Sequence, residues 1–393
     1  MQSPSVLLLA DLIRRPSITP AEEGVLDVLE AFLVPLGFVC TRLRFEGDGS
    51  YPVDNLFATR KADAPGPHLL FAGHTDVVSP GDVAAWTRDP FSGEIIDGVM
   101  WGRGATDMKS GVAAFCGAMA QLVADGRLEN GTVSLAITND EEADAVNGTK
   151  KLLEWATSQG HKFDFAIVGE PSSFETFGDS IKIGRRGSLS GRITVSGKQG
   201  HVAYPQRANN PMPVLARLVE ALYVPLDTGT EHFQPSNLEV TTIDTGNPTA
   251  NVIPARGELR FNVRFNDTWT GETLKAEIER RIAAFDAQGC AIDFKVMGPI
   301  SRCFISPPEG HVAHLCEVME EVNGIAPVLS TIGGTSDARF IADYCPVVEC
   351  GLIGATMHQV DERVPVADVD RLAGLYAIFV ARFLAKGHEI SPS

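Results

Sequence analysis

Leu69-Leu70-Phe71-Ala72-Gly73-His74 is an apolar run that stops at a glycine and a histidine. A short, continuous apolar run bounded by a turn signal reads as a strand buried on both faces. The neighbouring sequence repeats the arrangement. Residues 108–124 carry Val112, Phe115, Met119, Leu122 and Val123 at helical spacing. Residues 132–138 alternate through Val133, Leu135 and Ile137, and 163–168 form a third strand-like run. Strands alternating with helices predict an α/β domain, a mostly parallel sheet with helices on both faces.

The middle of the chain has a different rhythm. Strand-like runs at 189–196, 238–243, 258–265 and 291–296 enclose helical runs at 211–223 and 271–285. The order β-α-β-β-α-β is the ferredoxin-like one. Glycine-rich joints at 184–187 and at Gly298 bracket it. Beyond them the α/β pattern returns, with helical runs at 312–322 and 369–384 around a strand at 347–350. The expected organisation is a discontinuous α/β domain, 1–186 with 299–393, around an inserted α+β domain, 187–298.

The 393 residues, 44% hydrophobic and 21% charged, suit a folded chain of two to three domains. The net charge of −17 argues against nucleic acid as a partner. It leaves room for a small anionic substrate, because local arginines can reverse the local field. No apolar stretch is long enough to span a membrane. Met1-Gln2-Ser3-Pro4 has no basic start and no cleavage site follows, so no signal peptide is expected. Seven cysteines without a C-x-x-C suggest reduced thiols and a cytoplasmic setting.

Several metal-ligand residue types fall just after expected strands: His74, Glu141 with Glu142, Glu170, and His358 one loop further on. Ligands of open α/β sheets bind outside the carboxyl ends of the strands, so these groups should meet at one edge. Asp107 opens a helix after Trp101-Gly102-Arg103-Gly104 and could face the same edge. Imidazoles and carboxylates without thiolates suit zinc, with cobalt or manganese as substitutes. The set is large enough for two metals and a spare carboxylate that could take a proton from water. Each residue alone has a simpler reading: a helix cap for Asp107, a solvated acidic turn for Glu141-Glu142. His311 and His314 also stand i, i+3 on a helix, but without carboxylate-bearing strand ends.

The motifs 72–81 (Ala-Gly-His-Thr-Asp-Val-Val-Ser-Pro-Gly), 101–111 (Trp-Gly-Arg-Gly-Ala-Thr-Asp-Met-Lys-Ser-Gly) and Thr138-Asn139-Asp140-Glu141-Glu142 resemble the dizinc aminoacylase/carboxypeptidase family. Val168-Gly169-Glu170-Pro171-Ser172, Ile183-Gly184-Arg185-Arg186-Gly187-Ser188, Asn251-Val252-Ile253-Pro254 and the stretch 333–340 extend the resemblance over essentially the whole chain. They point to the branch acting on N-succinyl-L,L-2,6-diaminopimelate, in lysine and cell-wall precursor synthesis.

The resemblance implies that His74 and Glu170 hold one zinc and Glu142 and His358 the other. Asp107 bridges them beside a cis peptide, Asp76 orients His74, and Glu141 is the general base. It further implies a homodimer through the inserted domain, with His201 reaching the partner's site to stabilise the oxyanion. Three substrate carboxylates call for arginine forks, for which Arg185, Arg186 and Arg264 are candidates. Ser188, Tyr204, Asn251 and the turn Gly333-Gly334-Thr335 could add neutral donors. Relatives often carry Asn four residues before the last histidine ligand; here that position is Gly354. Rival readings are acetylornithine or another acyl amino acid as substrate, a dipeptidase, and an inert metal-binding dimer.

Overall fold

The computed structural model describes residues 2–386; Met1 and 387–393 of the expected outer segments lie outside them. The chain packs as two compact units. One comprises the chain up to Ile183, Ser306–Ser330 and the part from Ser336; the other comprises Gly184–Ile305 and Thr331–Thr335. The second unit begins before the expected joint at 187 and extends past 298. The reason is a strand pair: Gly184–Arg185 lies antiparallel to Phe304–Ile305.

The first unit is built on one eight-stranded sheet. Its spatial order is Val39–Gly47, Ser50–Lys61, Asn130–Thr138, Ala64–His74, Phe165–Val168, Val347–Glu349, Ser180–Lys182, Val328–Ser330. Ala64–His74 is parallel to both its neighbours, Phe165–Val168 to Val347–Glu349, and Ser180–Lys182 to Val328–Ser330. The remaining neighbour pairs are antiparallel, so the sheet is mixed with a parallel centre. Leu69, Leu70, Phe71 and Ala72 are buried in that centre. The edge hairpin Val39–Gly47/Ser50–Lys61 escapes the sequence reading because its outer strand is half-exposed and mixes Arg42 and Arg44 with apolar residues.

Ala64–His74 is where the strand order reverses. The chain leaves it through helix Lys109–Ala124 to reach Asn130–Thr138 on one side. It then passes through helix Thr149–Ser158 to Phe165–Val168 on the other side. Loops that part in opposite directions leave a crevice at the strand ends. Helix Lys109–Ala124 packs tightly here: Phe115 stacks on Phe71 at 4.2 Å between centroids, with Tyr376 edge-on. At Gly111 the helix meets the main chain of the next strand's end. A Cβ there would stand 2.1 Å from the Gly169 carbonyl oxygen, so only glycine fits.

The second unit has a four-stranded antiparallel sheet ordered Asn237–Asp244, Arg256–Phe265, Gly187–Ser196, Ala291–Ser301. Helices Pro211–Leu222 and Gly271–Ala283 complete a ferredoxin-like β-α-β-β-α-β unit. Alternate strand residues Leu189, Ile193, Val195, Leu259, Phe261 and Val263 share a core with Val214, Leu218, Leu274 and Ile278. Glycine makes room for the aromatics: a Cβ on Gly191 would stand 2.3 Å from the Phe261 ring. Among the described residues no helix is long and apolar enough to cross a membrane, and all seven cysteines are free thiols.

Candidate metal centre

His74 is the last residue of its strand, and Glu170 follows Phe165–Val168, the parallel strand hydrogen-bonded beside it. Adjacent parallel strands deliver the two side chains side by side. Glu141 and Glu142 follow Asn130–Thr138, the strand on the other flank of His74. Asp107 lies in the turn just before helix Lys109–Ala124, and its peptide bond to Met108 is cis. His358 lies in the loop before the short strand Arg363–Pro365, with a left-handed backbone at φ 61°.

These residues converge as two ligand groups that share Asp107: His74, Asp107 and Glu170, and Asp107, Glu142 and His358. His74 Nε2 lies 3.3 Å from Asp107 Oδ1 and 3.4 Å from Glu170 Oε1. His358 Nε2 lies 3.2 Å from Asp107 Oδ2 and 3.0 Å from Glu142 Oε1. Two donors at zinc-ligand distance and tetrahedral angle are separated by about 3.3 Å, so the spacing suits one small cation per group. Asp107 turns one oxygen to each histidine, as a bridging carboxylate must.

The electrostatics fit the same conclusion. Burial disfavours a charge on His74, but hydrogen bonds to Asp107 and Glu170 outweigh it and raise its pKa. His358 is raised to about 10 by its contacts with Asp107 and Glu142. Burial works to raise Asp107, yet the two histidines hold it below the usual carboxylate range. Glu170 is pushed up to about 7 by burial and by the charge of Asp107. Glu141 is raised by burial and by the charge of Glu170. So many carboxylates crowded against two imidazoles leave a negative pocket that divalent cations would neutralise. The set holds two metals per chain, and its oxygen and nitrogen donors suit zinc.

Asp76 is fully buried beside the first group, and burial lifts its carboxyl to about 6. Its carboxylate accepts from the Thr19 hydroxyl at 2.7 Å and from the backbone N–H groups of Glu141 and Glu142 at 3.3 and 3.1 Å. Its main-chain carbonyl, rather than the carboxylate, accepts from His74 Nδ1 at 2.9 Å. That bond places the proton on Nδ1 and leaves Nε2 free to ligate. Glu141 belongs to neither ligand group.

The remaining expected site residues lie on the second unit. Arg185 is buried, Arg186 Nη1 donates to Asn237 at 2.8 Å, and Arg264 Nη1 is buried without a hydrogen-bond partner among the described residues. Burial and the charge of Arg264 lower the pKa of Arg186, and burial and the charge of Arg185 lower that of Arg264, a field that favours an anion. Ser188 pairs with Arg264 across the strand register and accepts from Asn262. His201 is exposed; its Nδ1 accepts the Ala203 N–H at 3.0 Å and its ring lies 5.8 Å from Tyr204. The main-chain carbonyl of Asn251 accepts the N–H of Val202, the residue after His201, at 3.1 Å. Gly333, Gly334 and Thr335 belong to the 331–335 segment, with Gly333 at φ 122°. Among the described residues His311 and His314 belong to no ligand group; His314 faces Glu317 at 3.2 Å and His311 packs on Phe383.

Two buried residues of the centre carry no recognisable signal in the sequence. Glu362 receives the backbone N–H of Asp107, and Lys109 donates to the carbonyls of Leu12 and Arg15, closing the end of helix Pro4–Ile13. Each lies within a few residues of a ligand, but charged residues near loops are usually solvated.

The chain is 51% identical over 386 residues to a succinyl-diaminopimelate desuccinylase of Rhodopseudomonas palustris (strain TIE-1), covering 98% of this chain and 99% of that one. It is 52% identical over 379 residues to a succinyl-diaminopimelate desuccinylase of Methylorubrum extorquens (strain PA1), covering 96% and 98%. Its fold matches an M20 family metallo-carboxypeptidase from Sulfolobus solfataricus with a TM-score of 0.78 at 18% identity, over 98% and 100% of the two chains. The model of peptidase family M20/M25/M40 matches residues 70–382. With the ligand groups sharing Asp107 in place, the chain belongs to peptidase family M20/M25/M40.

Proposed function

We propose that this chain hydrolyses the amide of N-succinyl-L,L-2,6-diaminopimelate to succinate and L,L-diaminopimelate. The observation that carries this reading is half-identity along essentially the full length to enzymes named for that reaction. The two carboxylate-bridged ligand groups supply a matching centre. His74, Asp107 and Glu170 would hold one zinc, and Asp107, Glu142 and His358 the other. When bound, the two cations supply Lewis acidity, acidifying water and polarising a carbonyl.

Glu141 accepts the proton of the attacking water as the new C–O bond forms, then passes it to the amine nitrogen, so that the C–N bond breaks when the oxyanion collapses back to a carbonyl. Asp76 holds the Glu141 main chain and, through its carbonyl, the His74 ring. Arg185, Arg186 and Arg264 bind substrate carboxylates, supported by Ser188, Tyr204, Asn251 and the 333–335 turn. The second unit serves as a dimerisation and lid domain, and His201 of one subunit stabilises the oxyanion in the other. Mixing His201→Ala with Glu141→Ala subunits tests that exchange: hybrid dimers regain activity if His201 acts in trans and stay inactive if it acts within its own chain.

A paired turnover assay tests the substrate. Zinc-loaded protein, with a chelated control, is offered N-succinyl-L,L-diaminopimelate and N-acetylornithine. Strong, chelator-sensitive preference for the succinyl compound is expected. Preference for acetylornithine would discard the substrate and keep the chemistry; hydrolysis of neither would discard both.

A further inference from the structure

The loop that carries His358 is tied to the loop that carries Asp107 through a buried acid. Glu362 is fully buried, and its carboxylate gathers three donors from the 103–107 segment. Oε2 accepts from Arg103 Nη1 at 2.6 Å, and Oε1 accepts the N–H groups of Thr106 at 2.8 Å and Asp107 at 3.1 Å. The Glu362 carbonyl accepts the Gly102 N–H at 2.9 Å. Arg103 is itself buried and lies over the Trp86 ring at 5.1 Å. These bonds touch no ligand atom, yet they fix the main chain of Asp107 against the strand that follows His358.

The two ligand groups depend on this tie unequally. His74 and Glu170 leave neighbouring strands whose spacing the sheet already sets. His358 is 45% exposed and sits on a loop, so the sheet does not set its distance to Asp107. We propose that Glu362, locked by Arg103, is a positioning residue for the Asp107–Glu142–His358 site. It holds Asp107 and His358 at ligand spacing and so sets that site's affinity for a divalent cation. The His74–Asp107–Glu170 site leans on it far less. This rests on reading both groups as cation sites.

The carboxylate is required because three N–H donors converge on it. A glutamine would have to turn its own NH2 toward Arg103 or toward the backbone donors. Metal-free wild type, Glu362→Gln and Arg103→Lys are therefore titrated with Zn2+ by calorimetry and with Co2+ by visible absorption. Wild type should take up two ions. Glu362→Gln should weaken one binding event about 10–100-fold and alter the Co2+ bands of that event, leaving the other within about threefold. At saturating metal KM should stay near wild type. Arg103→Lys keeps the charge but loses the fork, and should weaken the same event to a smaller degree. If Glu362→Gln does not fold, Arg103→Lys decides alone. Unchanged affinities, or equal weakening of both events, would overturn the proposal. Fewer than two ions on wild type would instead overturn the reading of the groups themselves, and the proposal with it.

Discussion

His74 Nδ1 donates to the main-chain carbonyl of Asp76 at 2.9 Å, while the Asp76 carboxylate stands 3.6 Å from the same nitrogen. The two groups of Asp76 therefore have separate tasks. The carbonyl sets the histidine tautomer, and the carboxylate anchors the backbone of Glu141 and Glu142. Asp76→Asn keeps the first and impairs the second, because its NH2 would face those N–H donors. The variant should still bind two metals while kcat falls about 10–100-fold. Metal analysis beside steady-state kinetics checks this. Loss of metal would show that the carboxylate, not the carbonyl, orients His74.

Glu141 stands outside both ligand groups. Glu141→Ala should therefore retain both metals and lose turnover by about 10²–10⁴-fold, the usual contribution of a positioned base. Near-normal kcat would remove Glu141 from the reaction.

The end of the strand carrying Glu170 is crowded by glycine. A Cβ on Gly351 would stand 2.4 Å from the Glu170 carbonyl oxygen and 2.8 Å from that of Gly169. Neither main-chain oxygen can yield without moving Glu170. Gly351→Ala should weaken the His74–Asp107–Glu170 event and spare the other, the reverse of the Glu362→Gln pattern. Stability should fall by about 1–3 kcal/mol, the range for overpacking. Metal titration with urea denaturation checks both; an unaltered first event would mean the loop relaxes around the methyl.

Far from the metals, His68 is buried against His161 and Phe163, and its Nε2 lies 2.8 Å from Ser134 Oγ. Burial, aided by the charge of His161, lowers its pKa from 6.5 to about 4. Between those values the unfolded chain holds a proton on this ring and the folded chain does not. Stability from this residue is complete above 6.5 and is lost as pH falls towards 4. His68→Gln keeps a polar contact without titrating. It should remove about 3 kcal/mol of the acid-induced loss. Denaturant unfolding of chelated protein at about pH 7 and about pH 4 measures it. Identical acid losses in both proteins would show that His68 is not the group responsible.

The residues that converge as two ligand groups could be picked out in the sequence because each follows an apolar strand or opens a helix, and such strand ends share one sheet edge. The ferredoxin-like unit was legible for a similar reason, its alternating burial being written residue by residue in stretches such as Leu189, Ile193 and Val195. The edge hairpin 39–61 was not, since a half-exposed strand carries a diluted pattern. Glu362 was not either. In Asp361-Glu362-Arg363 it looks like any solvated turn, and only tertiary folding buries it.

Local side-chain pattern determined which segments are strands or helices and which ligand types stand at their ends. Those properties arise from periodicity and residue chemistry, which neighbouring residues carry. Tertiary structure decided that Asp107 faces both histidines, that Asp76 orients His74 by its carbonyl, and that Glu362 joins two loops. Such spacings depend on which strands pair and where the chain reverses around Ala64–His74. They are properties of long-range hydrogen bonding and packing, which no short window of sequence contains.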